Sequence, residues 1–206
     1  MTITLYGSNA SRATRNLWVL EELNLPYQQN KVNAQDGSSR SPEYLAINPL
    51  GKVPSLKDGD AVMFESLGIN LYLAQKYGAG KLWPKDWPGQ AKCLEWTLWC
   101  ASGLEGFVVT MLVERLFKPA PARSEAAYAA AAEKLAAELA YLDGQLAGKD
   151  FLVGGAFTIA DLNIACVLGS LARIGYGLAD YPNVKRWLDG CLAREAQKRV
   201  AAMPRP

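Results

Sequence analysis

The chain contains no histidine. That absence excludes triads and general bases built on imidazole, and any zinc site that needs a histidine ligand. Cysteine is scarce: Cys93, Cys100, Cys166 and Cys191 lie on apolar stretches without a C-x-x-C pair. They read as reduced, buried small hydrophobes, not as a disulfide framework or redox motif. The net charge of +2 is too small to point to nucleic acid or an anionic membrane. No apolar run is expected to reach membrane-spanning length, and Met1-Thr2-Ile3-Thr4 does not open a signal peptide. The resulting expectation is a cytoplasmic protein without metal, nucleic-acid partner or membrane attachment.

What remains is an ordinary globular composition, half apolar and one fifth charged, over 206 residues. That length accommodates one large domain or two small ones. Ile3-Thr4-Leu5-Tyr6 is a β-prone run ended by the turn cluster Gly7-Ser8-Asn9. Leu17, Leu20 and Leu23 follow helical spacing until Asn24 and Pro26, and 27–33 suits a second strand. Ser41-Pro42 opens a short helix, 53–56 and 61–64 are strands around the Asp58-Gly59-Asp60 hairpin, and 67–77 is a helix stopped by Gly78. The order βαβαββα predicts a thioredoxin-like domain over 1–78. A Pro- and Gly-punctuated linker over 79–89 follows, and 90–206 reads as all-helical. In that half, 90–115 is one long helix, continuously apolar in its middle, and a leucine stripe from Leu135 to Leu146 marks another. Thr158-Ile159-Ala160-Asp161 is a capping box flanked by Phe157 and Leu162 at the staple positions.

The most specific pattern is Asn48-Pro49-Leu50-Gly51-Lys52-Val53-Pro54-Ser55-Leu56, followed by Phe64-Glu65-Ser66. Pro54 cannot donate to a ladder, so it stands at the mouth of a strand, where a cis bond is expected. The N–H and C=O of Val53 would then be open to an extended peptide. Ser66 opens an apolar-periodic run, and a helix N-terminus attracts carboxylates. Glu65 is available for an amine. A lone Val-Pro or Glu-Ser pair would be only a strand edge and a helix cap, but the whole block suits a small acidic peptide.

This block resembles the glutathione-binding signature of the cytosolic glutathione S-transferases, and with the capping box the resemblance covers essentially the whole chain. It implies an α+β thioredoxin-like domain followed by an all-α domain. It also implies glutathione as co-substrate, with Val53, at the cis-Pro54, pairing with the cysteinyl backbone. Glu65 and Ser66 would hold the γ-glutamyl end, and Arg40 and Lys52 the glycyl carboxylate. The thiol, near its reference pKa of about 8.5, needs stabilisation as thiolate. In the family a Tyr, Ser or Cys after the first strand supplies it. Tyr6, Ser8, Asn9 and Ser11 stand in that window, and no cysteine does. The stretch from Gly7 to Arg15 is similar to the phi class and to bacterial serine-type, phi- or theta-like members. In the phi class the catalytic serine lies four residues after this glycine, which places the role on Ser11. Taken without the family, Ser11 is an ordinary helix cap, and the two roles are compatible. Arg12 and Arg15 read as solvated helix-face charges. Ser39-Arg40 departs from the His-Lys that phi proteins carry after the Asp-Gly of this loop.

The resemblance implies conjugation of glutathione to small, apolar electrophiles, in a pocket drawing on Asn9, Phe107, Thr110 and Met111. It also implies a homodimer. A non-catalytic module of the same fold, or a glutathione-dependent isomerase, peroxidase or dehalogenase, would use the same site. The Ser-Ser-Cys motif of the zeta-type isomerases is absent.

Overall fold

The computed structural model describes residues 2–204. Two compact units emerge, one of the chain up to Ala79 together with the segment from Arg194 onwards, the other Gly80–Ala193.

The first unit is built on a four-stranded sheet of order β2-β1-β3-β4. Its strands are β1 (Ile3–Tyr6), β2 (Tyr27–Asn30), β3 (Ser55–Asp58) and β4 (Ala61–Phe64). β1 runs parallel to β2 and antiparallel to β3, with Leu5 opposite Leu56 and both fully buried. β3 starts at Ser55 rather than Val53, as the missing donor of Pro54 requires. Helices α1 (Ala13–Glu22) and α3 (Ser66–Tyr77) pack on each other and on the sheet, while α2 (Pro42–Leu45) is capped by the Ser41 side chain. Leu17, Leu20, Ile69 and Leu73 form the core between them. The foot of α3 is tied to the hairpin by Asp58, whose Oδ2 accepts from Lys76 at 2.7 Å, Tyr77 at 2.7 Å and Tyr72 at 2.8 Å.

In the second unit, α4 (Trp87–Trp99), a π-helical turn (Cys100–Leu104), α5 (Glu105–Leu112) and a second π-helical turn (Val113–Phe117) form one continuous helix. It starts three residues earlier than the sequence reading placed it, because Asp86 accepts from Gly89 N–H and caps it. The expectation about apolar runs needs correction here: by length and composition Trp87–Phe117 is apolar enough to cross a membrane. One face of it, Cys93, Trp96, Cys100, Leu104, Val108 and Met111, is buried in protein instead. Helix α6 (Glu125–Gln145) packs along α5, and α7 (Ile159–Leu168), buried on nearly every side, fills the centre of the unit. The capping box forms at α7. The buried Asp161 carboxylate accepts from Thr158 N–H and Oγ1, Leu152 N–H and Trp187 Nε1, at 2.9–3.0 Å. Asp143 of α6 caps α8 (Pro182–Leu192) through the N–H groups of Asn183 and Val184.

The last helix, α9 (Glu195–Ala202), belongs with the first unit and not with the helical one. Charge pairing accounts for this. Arg194 donates twice to Glu22, at 2.7 and 2.9 Å, and Arg199 to Glu21 at 2.7 Å, while Ala196 and Val200 are buried.

Candidate functional site

The segment Asn48–Val53 is shaped by one buried asparagine. Asn48 accepts on its carbonyl from Gly51 N–H and on Oδ1 from Leu50 N–H, and its Nδ2 donates to the Lys52 carbonyl at 2.8 Å. Tyr44 donates to the same carbonyl at 2.6 Å. Gly51 has φ 60°, and a Cβ there would stand 2.8 Å from Arg40 Nη1. The turn thus needs glycine twice over, for its left-handed backbone and for the Ser39 carbonyl oxygen, which would stand 2.9 Å from the same Cβ. The chain then enters the cis Val53–Pro54 bond. Among the described residues no hydrogen bond engages the N–H or C=O of Val53, so its peptide edge is open.

Arg40 is brought to this edge by its own loop, where Asp36 Oδ1 accepts from Ser38 N–H at 2.8 Å and Gly37 takes φ 84°. A cleft of about 470 Å³ results, lined by Arg12, Ala34, Ser39, Arg40, Gly51, Lys52 and Val53. Its charged walls are all cationic. Sequence reading placed Arg40, Lys52 and Val53 there but left Arg12 on a solvated helix face.

Ser11 stands beside this cleft. A Cβ on Gly7 would lie 3.3 Å from Ser11 Oγ and 3.5 Å from the Cβ of Val53, so both flank the same glycine. The Ser11 hydroxyl donates to the Ser8 carbonyl at 2.7 Å and accepts from Ala13 N–H at 3.1 Å. Ser11 thus meets the first turn of α1, although Arg12 occupies the cap position. Ser11 is half-buried, whereas Ser8 is 1% exposed, its hydroxyl enclosed without a partner. Asn9 is buried too, with Nδ2 donating to the Pro204 carbonyl and Oδ1 accepting from Gln29.

Ser66 opens α3 behind an exposed Glu65. Glu65 holds φ 73°, ψ 107°, a conformation that costs a residue with a side chain about 1–3 kcal/mol. Two residues of α1 fix Ser66: Arg15 Nη1 donates to its Oγ at 3.2 Å, and Asn16 Nδ2 donates to its carbonyl at 2.8 Å. Asn16 also donates to Asn70 Oδ1 at 2.7 Å. With Oγ accepting from a guanidinium, its own proton is free for an anionic acceptor. Sequence reasoning missed this network. Arg15 is buried, not solvated, and the signal for it was a polar pair, Arg15-Asn16, interrupting an apolar helix stripe.

The residues expected to line an electrophile pocket are placed less favourably. Met111 is fully buried in the helical core, and with no exposed surface it is withdrawn as a pocket wall. Phe107 is half-buried near Lys134, and Thr110 donates to the Gly106 carbonyl at 3.0 Å.

Comparison with known proteins matches the glutathione S-transferase N-terminal domain over residues 1–75 and the C-terminal domain over 107–195. Glutathione S-transferase GstB of Escherichia coli is 32% identical over 205 residues, covering 98% of this chain and 99% of its own. Glutathione S-transferase 3 of Zea mays is 36% identical over 219 residues, covering 99% and 96% respectively. Among solved structures, a theta-class enzyme from Xanthomonas axonopodis pv. citri with glutathione bound aligns with a TM-score of 0.90, at 28% identity and 98% of each chain. Agreement of this extent, over both units and the full length of these relatives, makes the chain a member of the glutathione S-transferase family.

Proposed function

We infer that the protein is a glutathione transferase, joining the glutathione thiolate to small electrophiles. The observation that carries the reading is the open peptide edge of Val53 against a cleft whose charged walls are Arg12, Arg40 and Lys52. Glutathione is a short peptide with a carboxylate at each end and one amine. An unpaired strand edge suits its backbone, cations suit its glycyl carboxylate, and a helix start with Ser66 and Glu65 suits its γ-glutamyl end. Ser11 is the group we assign to the thiolate. A serine hydroxyl is no useful base, but a hydrogen bond to sulfur, aided by the positive end of α1, lowers the thiol pKa. The thiolate then attacks an electrophilic carbon, the C–S bond forms, and the leaving group departs with its electron pair.

Pairing into a homodimer is part of the same proposal. Val62 and Phe64 on the edge strand β4 are exposed, as are Leu94 and Leu98 on α4, and each unit thus offers apolar surface to a second copy. Four free cysteines are consistent with a reducing, cytoplasmic setting. Turnover of an activated aryl halide with and without glutathione, run beside peroxide and disulfide substrates, tests the activity. Binding of glutathione without turnover of any of the three would replace the enzyme with a binding module of the same fold.

A further inference from the structure

The loop from Gly7 to Ser11 is held at its centre by one side-chain amide. Asn9 is 5% exposed. Its Oδ1 accepts from Gln29 Nε2 on β2 at 2.7 Å, and its Nδ2 donates to the Pro204 carbonyl, just beyond α9, at 2.8 Å. Gln29 Nε2 also donates to the Gly7 carbonyl at 2.8 Å, and Gly7 N–H donates to the Asn30 carbonyl at 2.9 Å. The loop is thus tied to β2 at Gly7 and Asn9, and to the C-terminal segment at Asn9. A buried amide engaged at both ends offers a ligand little, so its effect falls on the loop.

What the amide holds is the acceptor of Ser11. The Ser8 carbonyl accepts from Ser11 N–H at 3.0 Å and from Ser11 Oγ at 2.7 Å. That carbonyl and the backbone nitrogen of Asn9 belong to one rigid peptide plane. Clamping Asn9 by its side chain therefore steadies the direction in which the Ser8 carbonyl points, and with it the Ser11 hydroxyl. Ala13 N–H, donating to Ser11 Oγ at 3.1 Å, is the other restraint on that oxygen.

We propose that Asn9 is a positioning residue for thiolate formation, and that the segment following α9 takes part through the Pro204 carbonyl. The proposal rests on the assignment of Ser11 to the glutathione thiolate. Asn9 acts through Ser11 and not as a wall of the electrophile pocket. It keeps the hydroxyl within reach of sulfur, where a displacement of about 1 Å is enough to forfeit much of a catalytic group's effect.

The test is thiolate absorbance of bound glutathione, titrated against pH in the parent, Asn9→Ala, Gln29→Met and a chain ended after Met203. Each change is expected to raise the pKa of the bound thiol by about half a unit, less than the one to two units expected on losing the Ser11 hydroxyl itself. Turnover of an aryl halide at neutral pH should fall about threefold, with the KM for glutathione nearly unchanged. Ending the chain after Met203 in the Asn9→Ala background should add no further shift, because both changes remove the same hydrogen bond. Gln29→Met and the shortened chain read the same clamp should Asn9→Ala fail to fold. Lowered thermal melts with an unchanged thiol titration would make the clamp purely structural and overturn the proposal, as would additive shifts in the double variant. A parent that binds glutathione without lowering its thiol pKa would instead remove the Ser11 assignment, and the proposal with it.

Discussion

The hydroxyl of Ser11 donates to the carbonyl of Ser8 at 2.7 Å, so its proton is committed to the protein before any ligand arrives. Stabilising a thiolate requires that proton to swing from the carbonyl to sulfur. Loss of a hydrogen bond to a charged group costs about 1.5–3 kcal/mol, or roughly one to two pKa units. Ser11→Ala is therefore expected to raise the pKa of bound glutathione by that amount and to lower turnover at neutral pH about tenfold. Affinity should be nearly unchanged. Thiolate absorbance titrated against pH reads the effect directly. Ser8→Ala should leave the titration where it is, since Ser8 is enclosed.

Glu65, the carboxylate proposed for the γ-glutamyl amine, sits on a backbone of positive φ. Relief of strain worth about 1–3 kcal/mol, less the extra freedom glycine gains when unfolded, gives Glu65→Gly a net stabilisation of about 1 kcal/mol. The same change should weaken glutathione binding at least tenfold. Glu65→Ala should weaken binding equally with no gain in stability. Calorimetry for affinity and urea midpoints for stability separate the two effects.

Asp161 serves four donors from a fully buried position. In Asp161→Ala those donors lose their acceptor together, at a cost on the order of 4 kcal/mol or more, a large share of a typical folding free energy. Little soluble protein is expected at 37 °C. Asp161→Asn retains one acceptor oxygen and should fold with a lowered midpoint in chemical denaturation.

Two carboxyls give stability opposite dependences on pH. Burial of Asp58 opposes its ionisation, but hydrogen bonds from Lys76, Tyr77 and Tyr72 outweigh burial and hold its carboxyl below the ordinary range. The unfolded chain then takes up that proton more readily. The contribution is fully present above the unfolded value of about 3.9 and fades as pH falls through the folded value. Asp161 behaves inversely: burial raises its carboxyl, so the folded state holds that proton more tightly and this term declines as pH rises above about 3.9. Urea midpoints from pH 2 to 7 should show parent and Asp58→Asn converging in acid and separating above pH 4.

The order of strands and helices along the first unit, the capping box and the turn from Gly51 to Pro54 were legible because each is written in contiguous residues. Alternation gives strands, Asp-Gly gives the hairpin, and Gly51 with Pro54 gives the turn and the strand mouth. Arg15 and Asn16 were not legible, since their partner Ser66 lies fifty residues away and only tertiary packing brings the helices together. Met111 was misplaced for a related reason. On a helix apolar around most of its girth, spacing alone does not separate a ligand-facing side chain from a core one. The attachment of α9 to the first unit depends on ion pairs spanning most of the sequence, which local pattern does not encode.

That attachment sets an order of events during synthesis. Glu21 and Glu22 leave the ribosome early, while Arg194 and Arg199 are added only after the whole helical unit has been translated. At about 5–20 residues per second the α/β half waits on the order of ten seconds for its final helix. During that interval the surface of α1 that α9 will cover is bare to solvent. A nascent chain arrested before Arg194 should therefore be held by chaperones through its N-terminal half, and release should coincide with the arrival of the last eleven described residues.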